Sequence, residues 1–351
     1  MFHPLRVSEV EQLTDDSVAV TFEVPPELRE TFRHTPGQHL ALRRLVDGEE
    51  IRRTYSICTP AAPANGDPIL RVGIRLVDGG EFSTFALKEL GVGDLVEVMP
   101  PMGRFLLAPR PGYFAAVVGG SGITPVLSMA ATLLAREREA RFCLIRSDRT
   151  AASTMFLDEV ADLKDRFPDR FQLVTVLSRE EQQSGLPSGR LDKERLTGLL
   201  PALFPVADVD GWFLCGPFGL VQGAERALRG LGVDRSRIHE EIFHVDDGSA
   251  PGRAAVKAPA HAELTATLDG RSGKWPVLEG ESLLETVLRS RSDAPYACKG
   301  GVCGTCRAFL VSGEVRMDRN FALEAEETEA GYVLACQSHP ATPEVELDFD
   351  R

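Results

Sequence analysis

The sequence predicts a multidomain chain: an antiparallel β-barrel, an α/β domain on a parallel sheet, then a small α+β domain rich in cysteine. Three observations carry this expectation. Short runs of alternating apolar and polar residues fill positions 5–107, and strand-like runs alternate with helical ones over 113–231. A stretch rich in Gly, Pro and Ala around position 250 then sets off the last 89 residues. The expected divisions are 1–108, 109–245, a linker over 246–262, and 263–351.

In the first part Val18, Val20, Phe22 and Val24 alternate with polar residues, the period of a half-buried strand. Further strand-like runs cover 39–43, 69–76 and 95–99. Gly and Pro punctuate them, which is the pattern of an antiparallel barrel. A helix-like run covers 85–90. In the second part 114–118, 142–145, 171–177 and 212–214 read as buried strands, and 125–138, 155–167 and 220–231 as helices. Such alternation predicts a parallel sheet. Residues 246–262 contain almost no large apolar side chain, the composition of a linker. Beyond it, strands are expected at 263–268, 308–312 and 345–347, with a helix at 282–289. No internal repeat is visible.

At 351 residues, with 43% hydrophobic and 26% charged residues, the chain has the composition of a soluble globular protein of two or three domains. No apolar run approaches the roughly 18 residues of a membrane span, and the N-terminus does not resemble a signal peptide. A cytoplasmic protein with no membrane association is expected. The formal charge of −13 argues against a nucleic-acid partner. From position 263 onward 16 acidic residues face 9 basic ones. That excess either keeps the last domain soluble or steers a basic partner, and both readings stand.

Four cysteines in the last domain carry the most chemistry. Cys298, Cys303 and Cys306 lie in Cys-Lys-Gly-Gly-Val-Cys-Gly-Thr-Cys, and Cys336 follows at a distance. The spacing C-x4-C-x2-C with a remote fourth cysteine is that of a plant-type [2Fe–2S] centre. Two irons need four converging thiolates, and the glycines inside the loop let backbone N–H groups approach the sulfurs. The alternatives are a zinc site, which usually takes two C-x2-C hooks where only Cys303/Cys306 form one, and a disulfide, which needs an oxidising compartment. Cys58 and Cys143 sit in apolar runs and read as small buried hydrophobes.

A [2Fe–2S] centre passes single electrons, so an electron source is expected upstream. Gly119-Gly120-Ser121-Gly122-Ile123-Thr124-Pro125 lies between a strand and a helix. Its glycines allow a tight turn, Thr124 is expected to cap the helix and Pro125 to open it, and the helix N-terminus suits a pyrophosphate. The alternative is a glycine-rich turn without ligand. Ser178-Arg179 ends a strand where an arginine can hold the 2′-phosphate of NADPH, so NADPH is expected over NADH. Arg146 and Arg149 are further candidates, and Glu180 and Glu181 count against. Cys215-Gly216-Pro217 ends the last strand, where the nicotinamide would sit. A hydride brings two electrons and the cluster takes one, so a flavin is expected to split the pair. Arg53-Thr54-Tyr55-Ser56 offers an arginine for its pyrophosphate, an aromatic ring for stacking and a hydroxyl for N5. Gly79-Gly80-Glu81-Phe82-Ser83-Thr84 offers a second phosphate site. Alone, each of these segments reads as a strand or a turn.

Arg-x-Tyr-Ser, Gly-x-Ser-Gly-Ile-Thr-Pro, Cys-Gly-Pro and the cysteine loop, in that order, resemble the ferredoxin–NADP reductase superfamily fused to a plant-type (β-grasp) ferredoxin. Phe2-His3-Pro4-Leu5, Pro36-Gly37-Gln38-His39, Val98-Met99-Pro100-Pro101 and Ala335-Cys336-Gln337 make the chain similar to the reductases of ring-1,2-phenylacetyl-CoA epoxidases. The resemblance implies electron flow from NADPH to FAD to [2Fe–2S] to a separate di-iron oxygenase acting on phenylacetyl-CoA. It implies that Arg53, Thr54, Tyr55 and Ser56 hold the flavin, with Gly80, Ser83 and Thr84 on its pyrophosphate. It implies nucleotide contacts from Gly120, Ser121, Gly122, Thr124, Ser178, Arg179, Cys215, Gly216 and Pro217, with Ser56 and Cys215 at the point of hydride transfer. In Glu241-Ile242-Phe243 it sets an acid and the Phe243 ring beside the flavin. Two other roles share parts of this pattern: a reductase for a steroid 9α-hydroxylase or ring-hydroxylating dioxygenase, and a redox-sensing iron–sulfur flavoprotein. The intact Gly-rich and Cys-Gly-Pro motifs argue against a sensor, which needs no hydride donor.

Overall fold

The computed structural model describes residues 2–46, 48–180, 188–244 and 262–351. Contacts divide the chain into two compact units, Phe2–His244 and the part C-terminal to it.

The larger unit opens with strands β1 (His3–Thr14), β2 (Ser17–Glu23), β3 (His39–Val46), β4 (Glu49–Ser56), β5 (Leu70–Arg75) and, after helix α1 (Glu81–Lys88), β6 (Leu95–Val98). They form one antiparallel sheet in the order β4-β3-β6-β1-β2-β5. The residues just past the end of β4 meet β5, where Ile57 bridges Val72 and Cys58 N–H donates to Arg71 O at 2.9 Å. This closes the sheet into the expected barrel and leaves fewer unpaired edges. Phe82 and Ala86 of α1 are buried in the same core as Leu5, Val20, Leu40 and Val72. The helix starts at Glu81 rather than 85. The Ser83 and Thr84 hydroxyls donate to Gly80 O, and Ser83 Oγ accepts from Val77 N–H, which winds the first turn early.

The same unit continues with β7 (Tyr113–Gly119), α2 (Ile123–Arg136), β8 (Arg141–Asp148), α3 (Leu157–Arg166), β9 (Phe171–Leu177), α4 (Lys193–Leu203), β10 (Gly211–Pro217), α5 (Phe218–Gly230) and β11 (Ile238–His244). The five strands pair in parallel, in the order β11-β10-β7-β8-β9. The chain runs outward from β7 to β9 and then returns to the other side of β7. The carboxyl ends of β7 and β10 therefore flank a topological switch point, the place where such sheets bind ligands. Helix α2 starts at Ile123, so Thr124 lies within its first turn and is not the cap. The Thr124 hydroxyl donates back to Ser121 O at 2.9 Å, Gly122 is the cap, and Pro125 is the third helical residue. Helix α2 is buried nearly all round because its second face meets the segment after β4. There Ser128 donates to Thr59 O at 2.6 Å and Ala61 N–H to Thr132 Oγ1 at 2.9 Å.

The C-terminal unit holds β12 (Ala262–Leu268), β13 (Arg271–Val277), α6 (Leu283–Leu288), β14 (Arg307–Ser312), β15 (Val315–Met317), α7 (Ala325–Glu329), β16 (Tyr332–Leu334), β17 (Ser338–Pro340) and β18 (Glu344–Asp348). Five strands form a mixed sheet, β13-β12-β18-β14-β16, in which β12 and β18 run parallel; β15 and β17 pair separately. A Ser282/Glu285 capping box starts α6, and Leu283, Leu284 and Val287 pack on Leu264, Ala266, Val345 and Leu347. This is the expected α+β ferredoxin fold. Of the linker expected over 246–262, residues 246–261 lie outside the described residues, and Ala262 opens β12.

Candidate redox site

Strand β4 ends in Arg53-Thr54-Tyr55-Ser56, and β11 carries an acid to it. The Ser56 hydroxyl donates to Glu241 Oε2 at 3.4 Å, and the Cys215 thiol lies 4.0 Å from the same oxygen. On the other side His39 Nδ1 is 3.9 Å from Glu241 Oε1. Cys215 and Glu241 are cross-strand partners between β10 and β11, which fixes their approach. Burial raises the Glu241 carboxyl to about 8, opposed by the Ser56 hydrogen bond. Burial lowers His39 to about 4, and burial together with Glu241 raises the Cys215 thiol. At neutral pH the set is therefore uncharged, and Glu241 carries a proton.

The switch-point loops interlock by backbone. A Cβ on Gly122 would stand 2.3 Å from Cys215 O, and Gly216 has φ +138° with its Cβ position 2.7 Å from Gly119 O. This brings Gly120, Ser121, Gly122 and Thr124 together with Cys215, Gly216 and Pro217. Arg75, at the end of β5, lies over the same loop. Its Nε is 3.2 Å from Asp16 Oδ1, another nitrogen donates to Ser153 O, and Nη1 lies 3.0 Å from a Cβ position on Gly120. Within the barrel, the Tyr55 ring meets Phe82 of α1 at 5.6 Å, which sets β4 beside the turn carrying Gly80, Ser83 and Thr84. Arg53 is exposed and donates to Arg52 O at 2.7 Å.

Ser178 and Arg179 continue from β9 alongside the end of β8, with their N–H groups donating to Asp148 O and Arg149 O, both at 2.9 Å. Arg149 and Arg179 are exposed there. Arg146 is not available for a phosphate. It is 1% exposed, with Nε 2.8 Å from Asp148 Oδ2 and Nη2 donating to Met155 O at 2.9 Å. Sequence position alone counted it with Arg149, but its side chain points into the protein. Glu180 accepts from Ala151 N–H at 2.8 Å, and Glu181 lies outside the described residues. Phe243 is half-buried against an apolar cluster that includes Phe105 and Cys215. Sequence reading passed over His39 and Arg75. A histidine opening the run Leu40-Ala41-Leu42 was the available signal for the first, and nothing local marks the second.

In the C-terminal unit the four cysteines pair two by two. Cys298 hydrogen-bonds Cys303, and Cys306 hydrogen-bonds Cys336. The Cys303 contact, with backbone N–H groups of Gly300, Val302 and Cys303, lowers Cys298 to about 6; the Cys306 contact, with Gln337 and the Gly301 N–H, lowers Cys336. Among the described residues no three His, Cys, Asp or Glu side chains surround a single ion position. Two sulfurs for each of two metals is the donor set of a [2Fe–2S] cluster, and these residues fit it.

Three family models match: an oxidoreductase FAD-binding domain over residues 4–106, an oxidoreductase NAD-binding domain over 117–226, and a 2Fe-2S iron-sulfur cluster binding domain over 266–341. The chain is 42% identical to a subunit of the 1,2-phenylacetyl-CoA epoxidase of Escherichia coli (strain K12), covering 99% of this chain and 98% of that protein. This chain belongs to the reductase components of oxygenases, within the ferredoxin–NADP reductase superfamily. The reductase is also 33% identical to the "3-ketosteroid-9-alpha-monooxygenase, ferredoxin reductase component" of Mycobacterium tuberculosis (strain ATCC 25618 / H37Rv), over 99% of this chain and 95% of that one. Its fold matches phthalate dioxygenase reductase with a TM-score of 0.59 and 24% identity, over 99% of this chain and 98% of that one. No helix among the described residues is long and apolar enough to cross a membrane.

Proposed function

We propose that this oxygenase reductase takes hydride from NADPH and delivers single electrons, through FAD and the [2Fe–2S] centre, to the di-iron oxygenase of a phenylacetyl-CoA epoxidase in the cytoplasm. The end-to-end identity of 42% to a component of the Escherichia coli epoxidase carries the choice of partner. FAD, when bound, divides the hydride's electron pair into single electrons. In this reading Arg53 and Thr54 hold the flavin phosphate side, Tyr55 lies on its ring, and the start of α1 with Gly80, Ser83 and Thr84 receives the pyrophosphate. Gly120, Ser121, Gly122 and Thr124 take the nucleotide phosphates, with Arg75 above them, and Ser178 and Arg179 take the 2′-phosphate. Cys215, Gly216 and Pro217 border the nicotinamide, and Phe243 shields the flavin face. The part played by Ser56 and Glu241 is electrostatic. Ser56 orients its hydroxyl through Glu241, and the protonated acid adds no negative charge where hydride arrives. Cys298, Cys303, Cys306 and Cys336 hold the cluster.

The test is a coupled assay with NADPH, oxygen and phenylacetyl-CoA, with and without the oxygenase components. Epoxide-CoA formation that depends on this chain is expected. No product, while NADPH still reduces cytochrome c briskly, would transfer the reductase to another oxygenase. The relatives in 3-ketosteroid-9-alpha-monooxygenases, at 31–33% identity, make a steroid oxygenase the first to try. Steady-state kinetics with NADPH and NADH decide the nucleotide, and equal efficiencies would remove the preference.

A further inference from the structure

We propose that Gln337 is a positioning residue that fixes the cluster loop and so sets the reduction potential of the [2Fe–2S] centre. The proposal rests on the iron–sulfur reading of the four cysteines. Gln337 follows Cys336, and its backbone is held on both sides: its N–H donates to Leu334 O at 2.9 Å, and its carbonyl accepts from Asp318 N–H at 2.8 Å. From this fixed point the side-chain amide crosses to the cluster loop. Nε2 donates to Lys299 O at 2.8 Å and lies 3.1 Å from Cys336 O and 3.7 Å from Cys336 Sγ.

The bond to Lys299 matters because Lys299 has φ +51°, a left-handed conformation in which any Cβ crowds the backbone. The peptides that follow carry the N–H groups facing the sulfurs. Gly300 N–H donates to Cys298 Sγ at 3.3 Å, and Gly301 N–H is directed at the Cys336 sulfur. Gly301 lies so close to Gln337 that an added Cβ would stand 3.1 Å from its Cγ. One amide therefore clamps the Lys299–Gly300 peptide, whose own N–H is aimed at Cys298 Sγ. With it the amide fixes the start of the next peptide, whose N–H faces the Cys336 sulfur, so that one N–H serves each cysteine pair. Reducing the cluster adds one electron and no proton. N–H dipoles aimed at the sulfurs favour that added charge and raise the potential.

The experiment is a dithionite titration of the full, cluster-loaded chain followed by EPR, with Q337L and the isosteric Q337E. Both variants are expected to keep the wild-type iron and sulfide content, to titrate at lower potential and to show shifted g-values. Reduction of ferricyanide by NADPH, which draws on the flavin, is expected to stay unchanged. In a K299G background the Q337L shift is expected to shrink, because glycine holds φ > 0 without the clamp. An unchanged midpoint and spectrum in both variants would overturn the proposal. So would loss of the cluster from both with flavin retained, since Gln337 would then serve assembly instead. A wild-type chain without a [2Fe–2S] signal would fell the iron–sulfur reading itself.

Discussion

Glu241 joins three elements through one carboxyl group: β4 by Ser56, β10 by Cys215, and β3 by His39. Because its pKa is raised to about 8, it is protonated at neutral pH and ionises just above it. Flavin reduction by NADPH is therefore expected to slow as pH rises through 8, and stopped-flow traces of E241Q should lack that inflection. Stability follows the same sign. A carboxyl whose folded pKa exceeds its unfolded value favours the fold below the unfolded value of 4.5 and loses that contribution as pH rises toward 8. Thermal melting is expected to show wild type losing ground to E241Q between pH 5 and pH 8.5. Y55A is expected to weaken flavin retention, and full FAD occupancy after gel filtration would remove Tyr55 from the site. At this scale the sequence was informative where chemistry coincides with a motif. Ser56 and Cys215 sit in short patterns that can be recognised. His39 stands in the Pro-Gly-Gln-His run, but its approach to Glu241, 202 positions on, is not written there. No local pattern marks Arg75, which lies against Gly120, 45 positions away.

Elements were legible where burial is regular. Strands β7 and β10 are continuous apolar runs because helices cover them, and β2 alternates because one face meets the barrel core. Strand β4 hid behind its charges: Glu-Glu-Ile-Arg-Arg-Thr-Tyr-Ser includes Arg52, buried at 3% exposure, which Glu50 pairs and the Phe2 ring faces at 4.9 Å. Hydrophobic periodicity does not register a strand that buries a paired arginine on the face opposite Ile51 and Tyr55, which pack on the barrel core. Helix α1 was read four residues late because hydroxyl bonds to Gly80 O start it, whereas apolar periodicity begins further on. The switch-point loops yield a prediction at the scale of elements. G122A places a methyl group against Cys215 O at 2.3 Å, with backbone on both sides. It is expected to destabilise the chain by about 1–3 kcal/mol and to raise KM for NADPH. Urea melts and steady-state kinetics check both, and an unchanged KM would detach this loop from the nucleotide.

Over the whole molecule, domain order and electron order agree only at the end. The FAD-binding part precedes the NAD-binding part along the chain, while electrons pass from nucleotide to flavin, and both orders finish at the 2Fe-2S domain. The FAD-binding, NAD-binding and 2Fe-2S models match in that sequence along the chain. C303S is expected to abolish cytochrome c reduction while sparing NADPH–ferricyanide activity, since the flavin precedes the cluster. Loss of both activities would show that the order is wrong or that the parts fold together. Fold class and domain order were legible because each part carries its own periodicity and its own motif. The meeting of Ser56 with Glu241 was not, because it spans 185 residues. That span also has a consequence during synthesis. At roughly 5–20 residues per second, Ser56 leaves the ribosome about 10–40 s before its acid. A nascent chain stopped before β11 would hold a barrel without its acid, so the Ser56–Glu241 contact forms only once the larger unit is almost wholly made.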